Sequence, residues 1–366
     1  MAKNIMEYDT VALSEEENAV VIIDQTKLPG KIELISLKTA QEIWDAIYLL
    51  QVRGAPAIGV TAAMGIYVLT NQLETDDFET FYSQFSEYQK FLDSSRPTAV
   101  NLSWALKRME KKALEAGRVQ KKSVSEVKEI LHQEALKIRD EDIEVCRKIG
   151  ENGLSLLKKR DGILTHCNAG QLATVRYGTA TAPIYLGQER GYQFRVFADE
   201  TRPLLQGARL TAFELASAGV DVTLLCDNMS ASVMAKGLVQ AVLVGCDRVA
   251  ANGDTANKIG TSVVATVANY YKVPVYICAP TSTIDMETPD GAGIVVEQRA
   301  GEEVTEMWYK ERMAPEGIKV YNPAFDVTDH ELIAGIITEY GVVRAPYQEN
   351  LRLLMERKNR EATVQK

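Results

Sequence analysis

Histidine is the scarcest chemical resource of this 366-residue chain: there are three, against 41 Lys and Arg and 50 Asp and Glu. With so few, a metal held by the protein is not expected. The five cysteines (Cys146, Cys167, Cys226, Cys246 and Cys278) are odd in number and match neither a zinc motif nor a disulfide framework. Reduced thiols, and hence a cytoplasmic location, are the plain reading. No apolar run approaches the ~18 residues of a membrane span. The opening "MAKNIMEYDTVALSEEEN" lacks the apolar segment of a signal peptide. There is no Lys/Arg stripe either, and a net charge of −9 repels phosphate backbones. Nucleic acid is therefore not an expected partner, and an anionic substrate must be held by a few local positive groups. G-x-G-x-x-G after a first strand, G-x-x-x-x-G-K-[ST] and G-x-S-x-G are all missing. Dehydrogenase, kinase and hydrolase readings lose ground together.

What is present changes character along the chain. "AVVIID" (19–24) and "KIELISL" (31–37) read as a small sheet with Pro29-Gly30 at the turn. Helical patterns follow at "TAQEIWDAIYLL" and "AIGVTAAMGIYVL", then near 76–92, 98–116 and 123–158, the last either broken or bridging two domains. Trp44 and Trp104 fall at apolar helical positions and are expected in the core. From residue 162 short β-rich runs alternate with helical segments: 162–166, 193–198, 220–225, 241–245 and 273–279. That alternation implies a parallel sheet. The fold class is α/β: a Rossmann-like parallel sheet in a C-terminal domain (146–366), and a smaller mixed α+β, mostly helical N-terminal domain (1–145).

Parallel sheets bind ligands outside the carboxyl ends of their strands. Here all five ends are polar or reactive: Cys167-Asn168, Asp199-Glu200-Thr201-Arg202, Asp227-Asn228, Asp247-Arg248 and Pro280-Thr281-Ser282-Thr283. One polar end means nothing, but five in a row point to a site. Cys167 precedes "NAGQLATVRYGTA", read as a helix, and a thiol at a helix N-terminus is acidified from ~8.5 toward neutrality. The bland alternative is a small buried hydrophobe, which also suits Cys226, Cys246 and Cys278. Asp247 ends the most apolar strand. Acting as an acid near neutrality it needs a carboxyl held well above the ordinary aspartate range, at roughly 4 kcal/mol, which desolvation at that strand end would supply. Taken alone, an aspartate paired with a neighbouring arginine is the commoner case. Arg53-Gly54-Ala55 before Pro56, and Arg96-Pro97-Thr98, each set a guanidinium beside a helix start, a reasonable phosphate cradle. Asn257-Lys258 before Ile259-Gly260-Thr261 suits a helix cap or an anion contact equally.

Taken in order, "RGAPAIGV", "RPTAVNLSWAL", "THCNAG", "ATVRYGTA", "DETRPLLQGARLTAFEL", "CDNM" and "VGCDRVAANGDTANKIGT" resemble the methylthioribose-1-phosphate isomerases, across residues 15–345. These sit within a larger family that includes regulatory subunits of the initiation-factor guanine-exchange complex. The resemblance implies isomerisation of cyclic 5-methylthioribose 1-phosphate to the open-chain ketose in methionine salvage, by a homodimer without metal or organic cofactor. It implies Cys167 and Asp247 as the catalytic pair, and Arg53, Gly54, Ala55, Arg96, Gln206, Asn257 and Lys258 as substrate-binding residues. Gln171 stands where a smaller residue such as Ala is expected, one turn along the presumed helix from Cys167, and Arg176 stands where Gly is expected. Three alternatives stay open: 5-deoxyribose 1-phosphate as substrate, ribose 1,5-bisphosphate with Arg176 as an added cation, and a non-enzymatic regulatory subunit.

Overall fold

The computed structural model describes residues 4–96 and 100–364. The chain divides into two compact units, one built from Met6–Glu144 and Gln171–Gly178, the other chiefly from Val145–Gly170 and Thr179 onward. No helix among the described residues is long and apolar enough to cross a membrane.

The first unit opens with an antiparallel sheet of β1 (Val11–Ser14), β2 (Ala19–Ile23) and β3 (Leu34–Leu37). The two expected strands are joined by β1. Five helices follow: α1 (Ala40–Tyr48), α2 (Ala55–Asn71), α3 (Phe78–Asp93), α4 (Val100–Leu114) and α5 (Val124–Leu154), the last running on past Glu144. Sequence chemistry sets the starts. Thr39 and Glu42 form a reciprocal capping box on α1, and Asp77 accepts from the Thr80 N–H at the start of α3. Pro56 lies in the first turn of α2, where a missing N–H costs nothing. α2 is apolar on nearly every side and buries almost its whole length, the mark of a central helix. α5 is unbroken over 31 residues. Trp44 packs against this core, whereas Trp104 is exposed beneath the Arg108 guanidinium, so the core reading fails for Trp104.

The second unit carries β4 (Gly162–His166), α6 (Ala182–Glu189), β5 (Arg195–Glu200), α7 (Phe213–Ser217), β6 (Asp221–Cys226), α8 (Ser230–Ala235) and β7 (Ala241–Val244). After them come β8 (Arg248–Ala250), β9 (Thr255–Lys258), α9 (Thr261–Tyr270), β10 (Val275–Cys278), β11 (Ile284–Asp285), α10 (Glu302–Thr305), β12 (Phe325–Thr328), β13 (Gly335–Thr338), β14 (Gly341–Val343) and α11 (Tyr347–Val364). The main sheet has seven strands in the order β14-β13-β10-β7-β4-β5-β6. Every neighbouring pair is parallel except β13–β14, so the five expected strands form its middle and one edge. β4, β7 and β10 are buried along their whole length, as strands covered on both faces must be. A second sheet, β11-β8-β9-β12, grows from the turn after β7.

Candidate active site

Strands β4 and β7 are neighbours, with Ile163 opposite Ala241 and Leu164 opposite Val242. Carrying that register to the strand ends sets His166 level with Val244, on chains about 4.8 Å apart, with Cys167 and Gly245 the next residue of each. The two strand ends press together. A Cβ on Gly245 would lie 2.6 Å from the Ala169 Cβ, closer than real Cβ atoms approach anything, so only glycine fits.

Cys167 is 8% exposed and sits at φ +63°, left-handed backbone that a side chain adopts at a cost of about 1–2 kcal/mol. Its surroundings hold it there. The Thr211 hydroxyl donates to the Cys167 carbonyl at 2.6 Å, and the Asn168 amide donates to Thr211 Oγ1 at 3.0 Å. Beneath lies Glu214, fully buried, against which a Cβ on Gly170 would come within 1.3 Å. The helix expected after Cys167 is absent. Residues 171–173 make one 3-10 turn, and α6 begins only at Ala182. The chain is drawn off the helical path by bonds within the first unit. Gln171 Nε2 donates to the Tyr8 carbonyl, Gln25 Nε2 to the Leu172 carbonyl, Thr10 Oγ1 to the Gln171 carbonyl and the Thr10 N–H to the Val175 carbonyl. Hence Cys167 does not stand at the start of the helix expected to follow it, and Gln171 does not sit one turn above it. Arg176 pairs with Asp9, so its charge already has a use.

Asp247 stands in the bend between β7 and β8, its N–H donating to the Ala256 carbonyl at 2.9 Å. It is exposed, so the apolar strand end does not desolvate it. Arg248 turns away to Asp285 at 3.1 Å, so it does not supply the neighbouring-arginine pairing considered for Asp247. Burial pushes the thiol of Cys246 up to about 12 and that of Cys278 higher still, in keeping with packing roles.

Asn257 and Lys258 lie on β9, opposite Asp326 and Phe325 of β12. Asn257 is buried, its amide donating to Thr261 Oγ1 at 3.0 Å, and the Lys258 ammonium lies 4.6 Å from the centre of the Phe325 ring. Neither caps α9. Its first N–H groups go to Asp326, which accepts from Gly260 and Ser262, a partner 64 or more residues away that local pattern does not reveal. Gln206 is buried beside Thr201, just beyond β5. Cys167, Asp247, Gln206, Asn257 and Lys258 therefore gather at the carboxyl edge of one sheet and the small sheet growing from it. Arg53, Gly54 and Ala55 belong to the first unit, at the start of α2, where a Cβ on Gly54 would lie 2.4 Å from the Ala173 Cα. Arg96 follows α3 in the same unit, while Pro97 and Thr98 lie outside the described residues.

Sequence reasoning overlooked His166. It is fully buried between Asp199, at 3.3 Å from Nδ1, and the Ile259 carbonyl, at 2.9 Å from Nε2. Burial raises the Asp199 carboxyl above its ordinary range, although His166 and Ser230 draw it back. The signal was its place as the last residue of a wholly buried strand, beside the cysteine.

Comparison with known proteins gives a consistent result. Residues 51–345 match the model of the initiation factor 2 subunit family. A methylthioribose-1-phosphate isomerase of Symbiobacterium thermophilum is 62% identical over 350 residues, 96% of this chain and 97% of the relative. A 5-deoxyribose 1-phosphate isomerase of Clostridium botulinum is 55% identical over 346 residues, covering 94% and 97% of the two chains. The crystal structure of 5-methylthioribose 1-phosphate isomerase from Pyrococcus horikoshii superposes with a TM-score of 0.90 at 42% identity, over 95% of this chain and 96% of that one.

Proposed function

The chain belongs to the initiation factor 2 subunit family, and from that premise we propose that it is an aldose–ketose isomerase converting 5-methylthioribose 1-phosphate to 5-methylthioribulose 1-phosphate, a step of methionine salvage. The observation that carries the mechanism is the meeting of two strand ends, a buried thiol at one and a carboxylate just past the other.

The chemistry needs such a pair. Phosphate on the anomeric carbon leaves no free aldehyde, so isomerisation cannot start until the ring oxygen is protonated and the C1–O bond to it breaks. We assign that proton to Asp247. Because Asp247 is exposed, substrate itself must cover it and supply the desolvation that keeps a carboxylic acid protonated near neutrality. Hydrogen then passes from C2 to C1, and the C2 hydroxyl gives its proton to the Asp247 carboxylate as the ketone forms, which restores the acid. In one route Cys167 as thiolate removes the C2 proton and returns it to C1 through an enediol. In the other a hydride migrates directly and Cys167 steers it. We assign phosphate and hydroxyl contacts to Arg53, Gly54, Ala55, Arg96, Gln206, Asn257 and Lys258, matched residue by residue to the family's motifs. Guanidinium, ammonium and backbone N–H groups suit a phosphate dianion, and Lys258 offers such a cation in a chain of net charge −9. We further propose a cytoplasmic homodimer; five free cysteines support the location.

The methylthio sugar is preferred to the 5-deoxy sugar because the relative named for it is the more similar, at 62% against 55% identity. A buried methylthio group is worth only ~1–3 kcal/mol of discrimination. The bisphosphate reading loses the cation that motivated it, since Arg176 pairs with Asp9. Proton and phosphorus NMR with each sugar phosphate in D2O tests the proposal. Ketose from the methylthio sugar at the higher rate is the expected result, and deuterium at C1 marks the proton route. A folded protein that turns over neither sugar sinks it.

A further inference from the structure

We infer that His166 is a positioning residue for this reaction: its imidazole ties the end of β4, which carries Cys167, to the Ile259–Gly260 turn that follows Asn257 and Lys258. The inference rests on the proposed reaction for its kinetic consequence, but the tie itself is read from geometry.

His166 and Asp199 are direct partners across β4 and β5, and neither side chain reaches solvent. A carbonyl has no proton to give, so the 2.9 Å contact between Nε2 and the Ile259 oxygen requires the proton on Nε2. That leaves two states for the other side of the ring. Either the imidazole is charged and Nδ1–H donates to an Asp199 carboxylate, or the imidazole is neutral and Asp199 donates its own proton to Nδ1. Both keep Nε2–H on Ile259, so the tie does not depend on which state is populated. Ser230 Oγ lies 3.0 and 2.9 Å from the two Asp199 oxygens and 2.6 Å from the Asp227 carbonyl, and so fixes the carboxyl plane.

The turn is shaped for this contact. Gly260 has φ +101°, and a Cβ there would lie 2.8 Å from His166 Cε1 and 2.9 Å from Nε2. Only glycine lets backbone rest on the edge of the ring. On the opposite side the Gly260 N–H donates to Asp326 at 2.8 Å. The turn is thus gripped twice, by His166 on the Ile259 carbonyl and by Asp326 on the Gly260 N–H. Through the first grip, Asn257 and Lys258 are indexed to the strand that presents Cys167. A residue that merely filled core volume would not need Nε2 protonated, nor a glycine against its edge.

The test uses two amide replacements in the full chain. The Gln amide nitrogen reaches the position of Nε2, whereas the Asn amide ends near Nδ1 and leaves Ile259 unserved. His166→Gln is expected to keep KM for 5-methylthioribose 1-phosphate within about threefold of the parent, and His166→Asn to raise it at least about tenfold with kcat changed far less. Deuterium exchange of the backbone around residues 259–262 should quicken in His166→Asn alone. Equal effects of the two replacements, or a loss confined to kcat, overturn the inference. With three histidines in the chain, 15N NMR of the parent protein gives an independent reading. A bare Nε2 on His166 overturns the tie even if neither variant folds, and a protonated Nε2 upholds it. If the parent protein fails to turn over the sugar, the proposed reaction falls while the exchange and NMR readings still decide the tie.

Discussion

The ends of β4 and β7 lie side by side at the same level of one sheet, yet the protein treats them in opposite ways. At β4 the thiol is buried, its backbone forced left-handed, its carbonyl pinned by Thr211 and its flank filled by Asn168 and Glu214. At β7 the carboxylate is exposed, and its backbone runs on through the Ala256 bond into a second small sheet. The Cys167 backbone is held by named partners on several sides, whereas the proposed acid stands exposed in a bend. That division suits a reaction in which the acid must act first, on an oxygen that arrives with the substrate, while the hydrogen transfer that follows needs a fixed geometry in a dry place.

The hardest test of the comparison removes each group. Asp247→Asn should cut kcat by about a thousandfold or more while leaving KM near the parent value, and Cys167→Ser should do similar damage. If the two act as a unit, the double variant will be little worse than the poorer single one. An Asp247→Asn variant that kept most of its rate would remove the acid from the mechanism.

Next in size is the spacing between the two ends. Gly245→Ala puts a methyl 2.6 Å from the Ala169 Cβ, where one chain or the other must move. A shift of that kind should cost about 10- to 100-fold in kcat. Steady-state rates beside a thermal melt will show whether the loss exceeds what reduced stability explains. Smaller again is Thr211→Val, which keeps the shape and removes the hydroxyl that holds the Cys167 carbonyl. It should cost about 1–2 kcal/mol of stability and slow turnover several-fold, and Thr211→Ser should restore most of both. If Val and Thr prove equal in both readouts, the backbone at Cys167 is held by something else.

Reading the residues alone reaches the middle of this molecule better than its connections. Five strands of the main sheet were legible because each is a short run of β-formers with a polar end, a pattern local enough to see even in β6, which is mostly exposed. β13 and β14 were not: "GVV" is three residues, and "GIIT", although as long as β7, is joined to β14 by a two-residue turn and was not separated from its surroundings. The small sheet escaped for another reason: β9 is "TANK", polar residues whose extended form is set by pairing with β8 and β12 rather than by their own preference. The helix assigned after Cys167 failed where bonds from Tyr8, Thr10 and Gln25 override local propensity. Cys167 and Asp247 were visible as reactive groups at strand ends. That one would be buried and the other exposed was not, since exposure depends on packing that local pattern does not reveal.

A last, smaller effect sharpens the contrast by showing what this protein does to an aspartate it half-buries. Asp142, in the first unit, accepts the Val175 N–H at 2.7 Å, and burial raises its carboxyl to about 7, the hydrogen bond offsetting only part of the shift. Between the ordinary aspartate range near 4 and that value, the folded chain holds a proton that the unfolded chain has released. Stability from this group is therefore greatest at low pH, falls as pH rises from about 4 to about 7, and levels off above. Asp142→Asn keeps an acceptor for Val175 and cannot titrate, so it lacks this slope. Urea midpoints of parent and variant, compared at pH 5 and pH 8, should diverge with the parent losing ground at the higher pH. Parallel midpoints would mean that burial alone does not hold a proton on an aspartate here. The proposal for Asp247 would then have to find its proton in the substrate's own phosphate rather than in desolvation.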